Sequence, residues 1–348
     1  MSTGYLYEPL PDVENGIRLH LNEHTGGCSP AVMEAIGRIT REQVAWYPAY
    51  TGATRACARA LGVPEGFVLL TNGLDEGILT AALALLPRQD ASADAVVVEP
   101  AYGMYGPCAA LAGARVVATT PGADLRFSIE EVRRAVSPAT RLVLLSNPNN
   151  PTGEWIPHEA VRDVARLVPP EAVVFVDEAY ADFAGDTFMS FIETCPNVLV
   201  GRTFAKAYGL AGMRVGCLVG VPALVHRLRS AIAPFSVNVF AAVALEVALR
   251  DRAYLDAYVE EVRQSRALIY DTCRRLGLPF WPSTANFVLI RVGDARAVHE
   301  TLAARGVHVR DRSSAPGCEG CLRITAGLTR HTRAAMAALE EATCAGQG

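Results

Sequence analysis

The clearest reactive group of the sequence is Lys206, which lies among small and apolar side chains in the stretch from Arg202 to Gly216. An apolar run, Val198 to Val200, precedes it, and three glycines and Arg214 follow it. Apolar surroundings disfavour the charged ammonium form, so the pKa of such a lysine falls and its neutral amine can attack a carbonyl to form a Schiff base. A surface lysine in a loop would give a similar sequence, and the other motifs decide between the two interpretations.

Two further motifs follow strand-like runs and offer groups for an anion and for a flat ring. In Asn72 to Gly77, glycines open a helix, whose first N–H groups and dipole attract anions. An ordinary strand-to-helix turn explains this motif equally well. In Pro100 to Tyr105, an aromatic side chain could stack on a planar ring, although a tyrosine at the margin of the core gives the same pattern.

Two other motifs offer an amide and a carboxylate. Asn147 to Gly153 places asparagines between two prolines, and such a rigid polar loop suits a fixed amide donor. Asp177 ends an apolar run, where a carboxylate is costly to bury without a cationic partner such as a protonated pyridine nitrogen; the alternative is an N-cap for the next segment. Ligands of open α/β sheets bind at the carboxyl ends of strands, so we expect the four loops to converge.

The elements that carry these motifs are short β-branched strands separated by helices. From residue 67 to residue 200 this alternation predicts βαβ units and a mostly parallel sheet covered by helices on both faces. After Pro234 the pattern changes to a long helical stretch, about 238–277 with a break near Asp251, and then to a compact α+β tail. A chain of 348 residues exceeds one small core, so we expect a large domain and a smaller one.

The composition limits the classes of protein. Apolar residues make up 51% and charged residues 20%, which predicts a substantial core, while a net charge of −4 and scattered arginines argue against nucleic-acid binding. We see no membrane-spanning apolar run and no signal-peptide pattern, so the nine irregularly spaced cysteines indicate reduced thiols in the cytoplasm. The pair Cys318 and Cys321 lacks a second ligand pair, and no metal site is expected.

Taken together and in this order, the motifs resemble those of the fold-type-I pyridoxal-phosphate (PLP) aminotransferases. Within that superfamily the sequence looks most like the histidinol-phosphate aminotransferase group, and the resemblance extends from Leu21 to Thr325. It rests mainly on three blocks: Asn-Pro-Asn-Asn-Pro-Thr-Gly (147–153), Asp-Glu-Ala-Tyr (177–180) and Lys-Ala-x-Gly-Leu-Ala-Gly-x-Arg-x-Gly (206–216).

The resemblance implies a fold, a cofactor and an assembly. The fold would be the α/β fold of the type-I PLP-dependent transferases, with a mostly parallel central sheet, helices on both faces and a smaller α+β domain. Residues 45–240 would form the large PLP-binding domain, and residues 1–44 together with 241–348 the small one. The active unit would be a homodimer with shared active sites, in which Tyr47 reaches the cofactor phosphate of the neighbouring subunit.

The same similarity implies roles around the cofactor. Lys206 would hold PLP as a Schiff base and later move a proton, while Asp177 would pair with the pyridinium nitrogen and keep the ring an electron sink. Tyr180 would flank the phenolic oxygen of the ring. The other implied contacts are Asn150 at the phenolic oxygen, Tyr102 on the ring face, and the backbone of Leu74 and Asp75, Thr203 and Arg214 at the phosphate.

On the substrate side the resemblance implies contacts from Asn22, Arg323 and Arg310. A guanidinium fits carboxylate and phosphate equally, so the arginines do not identify the substrate. Two departures from the family pattern stand out: Ala205 replaces a serine that usually donates to the cofactor phosphate, and residues 24–28 replace an Asn-Pro-Tyr-Gly-Pro loop beside the substrate pocket. A specialised amino-acid aminotransferase therefore fits nearly as well.

The implied activity is transfer of an amino group from an amino acid or histidinol phosphate to a 2-oxo acid. Decarboxylases, cyclases and oxidases of amino acids share the scaffold, because the bond that breaks is the one held perpendicular to the ring, and the sequence does not show which that is. A cofactor-binding regulatory domain is disfavoured, since the catalytic set is intact and no DNA-binding segment is seen.

Overall fold

The computed structural model describes residue 13 and residues 15–86 and 93–344. Its strands are β1 (Ile17–Arg18), β2 (Val68–Thr71), β3 (Asp94–Val97), β4 (Arg115–Ala118), β5 (Thr140–Ser146), β6 (Val173–Asp177), β7 (Val198–Thr203), β8 (Gly216–Val219), β9 (Phe280–Trp281), β10 (Phe287–Arg291), β11 (Val307–His308), β12 (Arg310–Asp311) and β13 (Cys321–Thr325). Its α-helices are α1 (Pro30–Ile36), α2 (Arg41–Ala45), α3 (Thr51–Leu61), α4 (Gly73–Leu85), α5 (Tyr105–Leu111), α6 (Ile129–Ala135), α7 (His158–Leu167), α8 (Ala181–Ala184), α9 (Pro222–Leu228), α10 (Val239–Ala248), α11 (Arg252–Leu276), α12 (Ala295–Ala304) and α13 (Thr329–Cys344).

A seven-stranded sheet in the order β2-β8-β7-β6-β5-β3-β4 forms the centre of the larger part of the molecule. Six of its strands run in the same direction, and β8 pairs antiparallel with both β7 and β2. The central strands β6 and β7 are buried along their whole length, as expected when helices cover both faces. The predicted α/β fold with a mostly parallel sheet is confirmed, whereas β8, which begins at the last residue of the 206–216 block, was not predicted.

The register brings the carboxyl ends of the central strands to one edge of this sheet. Ser146 at the end of β5 lies opposite Asp177 at the end of β6, and Asp177 lies opposite Gly201 in β7. The loops that follow β5, β6 and β7 therefore start side by side. This shared edge is the place where the motif residues meet.

A second, antiparallel sheet in the order β12-β13-β10-β9 packs with α11, α12 and α13 in the C-terminal part. The N-terminal segment joins this part, because β1 pairs parallel with β11 and the backbone N–H of Leu19 donates to the carbonyl of His308 at 2.8 Å. The N–H of Thr325 in β13 in turn donates to the carbonyl of Leu19 at 3.0 Å. This pairing brings the N-terminal segment to the end of β13.

Helix boundaries follow local capping chemistry. Ser29 caps α1 with Pro30 as its first residue, and Asp251 caps α11 by accepting from the N–H of Tyr254, which places the predicted break of the long helical stretch. Helix α2 was not predicted, although Thr40 and Gln43 form a capping box at its start.

Other expectations concern the membrane and metals. Within residues 15–86 and 93–344, no helix has the length and apolarity needed to span a membrane. The same residues contain no cluster of three or more side chains able to ligate a metal. Cys318 and Cys321 are both buried and close a turn in which the N–H of Cys321 donates to the carbonyl of Cys318 at 3.0 Å.

Candidate active site

A cavity of about 100 Å³ opens at the carboxyl edge of the seven-stranded sheet. All four predicted loops and the Lys206 segment contribute to its wall, so the expected convergence of the loops is confirmed. The lining residues are Leu74, Asp75, Ile78, Tyr102, Tyr105, Ser146, Asn150, Asp177, Ala179, Tyr180, Thr203, Ala205, Lys206 and Arg214.

Lys206 is a half-buried amine at this cavity. It follows β7, and its Nζ donates to the carbonyl of Leu21 at 2.8 Å, which fixes the side chain. Burial lowers the pKa of Lys206 to about 8, and the positive charge of Arg323 adds to the effect. The neutral, nucleophilic amine is therefore far more populated near neutral pH than in an ordinary lysine, as the sequence predicts.

Asp177 is a buried carboxylate with two neutral donors. Its Oδ1 accepts from the N–H of Ala179 at 2.9 Å, and its Oδ2 accepts from the hydroxyl of Tyr105 at 2.7 Å. Burial raises the pKa of Asp177 to about 6, against the opposing effect of these two hydrogen bonds. The described residues place no arginine or lysine in an ion pair with it, so a cation in the cavity would find an uncompensated carboxylate.

The N-terminus of α4 forms an anion cradle in the same wall. Asn72 makes no side-chain capping bond, and the first N–H groups of a helix have no partner within the helix. The Thr203 hydroxyl accepts from the N–H of Ala205 at 3.3 Å, which leaves its own proton free to donate. The guanidinium of Arg214 lies over Gly73, whose φ of +74° favours glycine at this position.

Two side chains hold the mouth of this cradle. The hydroxyl of Tyr102 donates to Asp75 Oδ1 at 2.9 Å, and Arg214 pairs with Asp75 Oδ2 at 2.9 Å. The ring of Tyr102 meets that of Tyr105 edge to face, with centroids 5.8 Å apart. Tyr102 thus presents an oriented aromatic wall to the cavity.

A buried polar network connects the cavity to β13. The Tyr180 oxygen accepts from the amides of Asn22 at 3.0 Å and Asn150 at 3.4 Å. Arg323 donates to Asn150 Oδ1 at 2.6 Å and to the carbonyl of His20 at 2.9 Å, while its Nε has no hydrogen-bond partner. Burial lowers the pKa of Arg323 to about 10. This network brings a cation to the edge of the cavity.

Four predicted residues are not among those that line the cavity. Asn22 and Arg323 are connected to it through the polar network, by hydrogen bonds to Tyr180 and Asn150. Arg310 lies opposite Arg323 across the β12–β13 pair. Tyr47 is 80% exposed and stacks on Phe235 with ring centroids 4.6 Å apart. The remaining cofactor residues expected from the sequence all line it, as does Ala205, whereas Ile78, Tyr105, Ser146 and Ala179 were missed.

The unusual loop at residues 24–28 borders a second cavity, of about 360 Å³. His24 stacks on Tyr258 with centroids 3.3 Å apart, and burial lowers the pKa of His24 to about 4, so its ring is neutral. The Thr25 hydroxyl accepts from the N–H of Leu328 at 2.8 Å. The loop is therefore anchored on α11 and on the segment after β13.

One cavity at the edge of a mostly parallel sheet contains an amine of lowered pKa, a buried carboxylate and an anion cradle. This combination defines an enzyme of the cofactor-binding α/β class. The family model described as aminotransferase class I and II matches residues 14–339. The chain belongs to the aminotransferase class I and II family.

Curated relatives and solved structures agree with this assignment. The chain is 36% identical to histidinol-phosphate aminotransferase 2 of Ralstonia nicotianae, over 94% of this chain and 88% of the relative. It is 36% identical to histidinol-phosphate aminotransferase of Symbiobacterium thermophilum, over 96% and 94%. The crystal structure of histidinol-phosphate aminotransferase from Sinorhizobium meliloti in complex with pyridoxal-5'-phosphate matches with a TM-score of 0.86 and 28% identity, covering 97% of this chain and 96% of that one.

Proposed function

We propose that this protein is a PLP-dependent aminotransferase of the histidinol-phosphate aminotransferase type, which moves an amino group between histidinol phosphate or an amino acid and a 2-oxo acid. The observation that carries the proposal is the single cavity in which the Lys206 amine, the unpaired Asp177 carboxylate and the uncapped start of α4 meet. The names of the relatives support the substrate class.

The residues present fit PLP. Asp177 has no ion-pair partner among the described residues, and a protonated ring nitrogen would supply one. The uncapped N–H groups of Leu74 and Asp75, the free Thr203 proton and Arg214 suit a phosphate group. When bound, PLP supplies an aldehyde for the amine and a ring that withdraws electrons from the substrate carbon.

The protein's own groups then have distinct tasks. Lys206 would hold the aldehyde carbon through its Nζ and, once freed, would carry a proton to and from the substrate carbon. Asp177 would keep the proton on the ring nitrogen. Tyr180, whose oxygen accepts from Asn22 and Asn150, would donate its hydroxyl proton to the phenolic oxygen of the ring.

The substrate is proposed to bind between the cavity and β13. Arg323 is a buried cation held by the Asn150 and His20 contacts, so it can pair with the anionic group of the substrate. Arg310 is its cross-strand neighbour and adds positive charge on the same side, while Asn22 presents its amide there.

The test is turnover by PLP-loaded protein with histidinol phosphate, histidinol, histidine and aromatic amino acids as donors and 2-oxoglutarate as acceptor. Formation of glutamate, with the largest kcat/KM for histidinol phosphate, is expected. If glutamate forms only with another donor, that donor is the substrate in place of histidinol phosphate. Release of carbon dioxide or ammonia instead of glutamate would contradict transamination. The Lys206→Ala variant is the negative control for each donor.

We further propose a homodimer with shared active sites. Val44, Trp46, Tyr47 and Phe235 are between 49% and 80% exposed, an apolar surface that a second copy would cover. Mixing inactive Lys206→Ala and Tyr47→Ala subunits tests it, because one site of each mixed dimer then has both residues. We expect activity to be recovered on mixing. If no activity is recovered, Tyr47 does not act across subunits.

We also propose a division into two domains and a cellular location. Residues 45–240 would form the PLP-binding domain and residues 1–44 with 241–348 the small domain, which the pairing of β1 with β11 supports. A cytoplasmic location is supported by the thiols of Cys28, Cys57, Cys108, Cys195, Cys217, Cys273, Cys318 and Cys321, which are all unpaired.

A further inference from the structure

Tyr105 has a contact that the proposed roles leave unexplained. It is the first residue of α5, its side chain is fully buried, and its hydroxyl donates to Asp177 Oδ2 at 2.7 Å. A buried phenol needs a hydrogen-bond partner, and many backbone carbonyls could serve. Here the partner is the carboxylate that faces the cavity.

We propose that Tyr105 is a positioning residue, which fixes the orientation and the ionised state of Asp177 so that the carboxylate pairs with the protonated ring nitrogen of PLP. The inference rests on the proposed function, because it concerns the same site. Among the described residues, Tyr105 is the one side chain that donates a hydrogen bond to Asp177, and the second donor is the backbone N–H of Ala179.

The two donors hold the carboxylate from different sides. Ala179 N–H engages Oδ1 at 2.9 Å and Tyr105 engages Oδ2 at 2.7 Å, so rotation of the carboxylate would break both bonds. Each oxygen retains a free lone pair for a further donor in the cavity. A rigid carboxylate is what a single, directional ring N–H requires.

A phenol suits this position better than a cationic donor. Arginine or lysine at this point would neutralise the carboxylate and leave the ring nitrogen without a counter-charge. Tyrosine donates a strong bond to a charged acceptor and adds no charge. Burial and the negative charge of Asp177 raise the pKa of Tyr105 far above its ordinary range, so the phenol keeps its proton and stays a donor.

The test compares PLP with its 1-deaza analogue, which carries CH in place of the ring nitrogen and keeps the aldehyde and phosphate. Dissociation constants of both compounds are measured for the wild type and for Tyr105→Phe. We expect Tyr105→Phe to weaken PLP by about tenfold, the effect of losing one hydrogen bond to a charged group, and to change binding of the analogue by less than about twofold. The pH below which PLP binding is lost should be higher in Tyr105→Phe than in the wild type.

Tyr258→Phe is the matched control, because it removes the hydroxyl of another buried tyrosine, which contacts the backbone of Glu23 and Thr25. It leaves the ratio of the two dissociation constants at the wild-type value. A Tyr105→Phe protein that weakens both compounds equally, or neither, overturns the proposal. If the wild type itself binds PLP no better than the analogue, the pairing of Asp177 with the ring nitrogen fails instead, which separates the two hypotheses.

Replacement of Tyr105 by 3-fluorotyrosine covers the case of a Tyr105→Phe protein that does not fold. It keeps the hydroxyl and the shape and makes the phenol a stronger donor. Tighter binding of PLP with unchanged binding of the analogue is expected, and an unchanged ratio contradicts the proposal.

Discussion

The Ala205→Ser substitution tests how the phosphate end of the site is built. Ala205 lines the cavity and is 6% exposed, and its N–H is already used by the Thr203 hydroxyl. A serine here places a new hydroxyl at the anion cradle without displacing a larger group. The four donors proposed for the phosphate, two backbone N–H groups, Thr203 and Arg214, leave several phosphate lone pairs open.

The expected gain follows from the strength of a hydrogen bond to a charged group. Such a bond contributes about 1.5–3 kcal/mol net, which corresponds to about 10–100-fold tighter binding of PLP. The unliganded variant should have nearly wild-type stability, because the hydroxyl faces a cavity that opens to solvent.

The assay is equilibrium titration of the apo protein with PLP, followed by absorbance, with Ala207→Ser as control. Ala207 is buried two residues further on and does not line the cavity, so its serine variant should lose stability without binding PLP more tightly. An Ala205→Ser protein that binds PLP within about twofold of the wild type would refute the reasoning, since the phosphate would then have no unfilled acceptor at this position.

Two other substitutions test the lysine and the motif glycine. Lys206→Met should stabilise the apo protein at pH 7, because the folded state disfavours the ammonium form of Lys206. The pKa of Lys206 in the folded state, about 8, lies below the ordinary 10.5. The gain in the free energy of unfolding, measured in urea, should therefore be complete below pH 8 and should disappear as the pH rises towards 10.5. Gly153→Ala should destabilise the protein by about 2–4 kcal/mol, since φ is +76° and a Cβ would lie 2.9 Å from the Cα of Ser283. Gly185→Ala, with φ +72° and open space around it, should lose only about 1 kcal/mol, and equal losses would show that contact with Ser283 does not matter.

The sequence predicts the cavity well because its motifs each follow an apolar strand. Parallel strands bring their carboxyl ends to one edge, so Asn150, Asp177 and Lys206 meet without any knowledge of side-chain packing. The resemblance to a family then adds roles that spacing alone leaves open, such as a phosphate contact for Thr203.

The rest depends on three-dimensional contacts that the sequence does not encode locally. Tyr105 looks like an ordinary core aromatic three residues after Tyr102, and only the fold brings its hydroxyl to a carboxylate 72 positions away. Strand β8 begins at Gly216, the last residue of the glycine-rich block, and its antiparallel pairing with β7 depends on a partner strand that the local sequence does not identify. The role of Tyr47 needs a second subunit, because within one chain it lies on the surface.

The charges around β6 and β7 support assigning the cavity as the functional site. Glu178 and Arg202 are buried next to Asp177 and Thr203, and they form an ion pair at 3.3 Å, with Arg202 also 2.8 Å from Asp182. The fold therefore compensates buried charge where the charge is structural. Asp177, one residue away from Glu178, has no such partner among the residues that the structure describes. An uncompensated charge beside a compensated one is explained most simply by a ligand that supplies the missing cation, and the nitrogen of a pyridine ring fits that requirement.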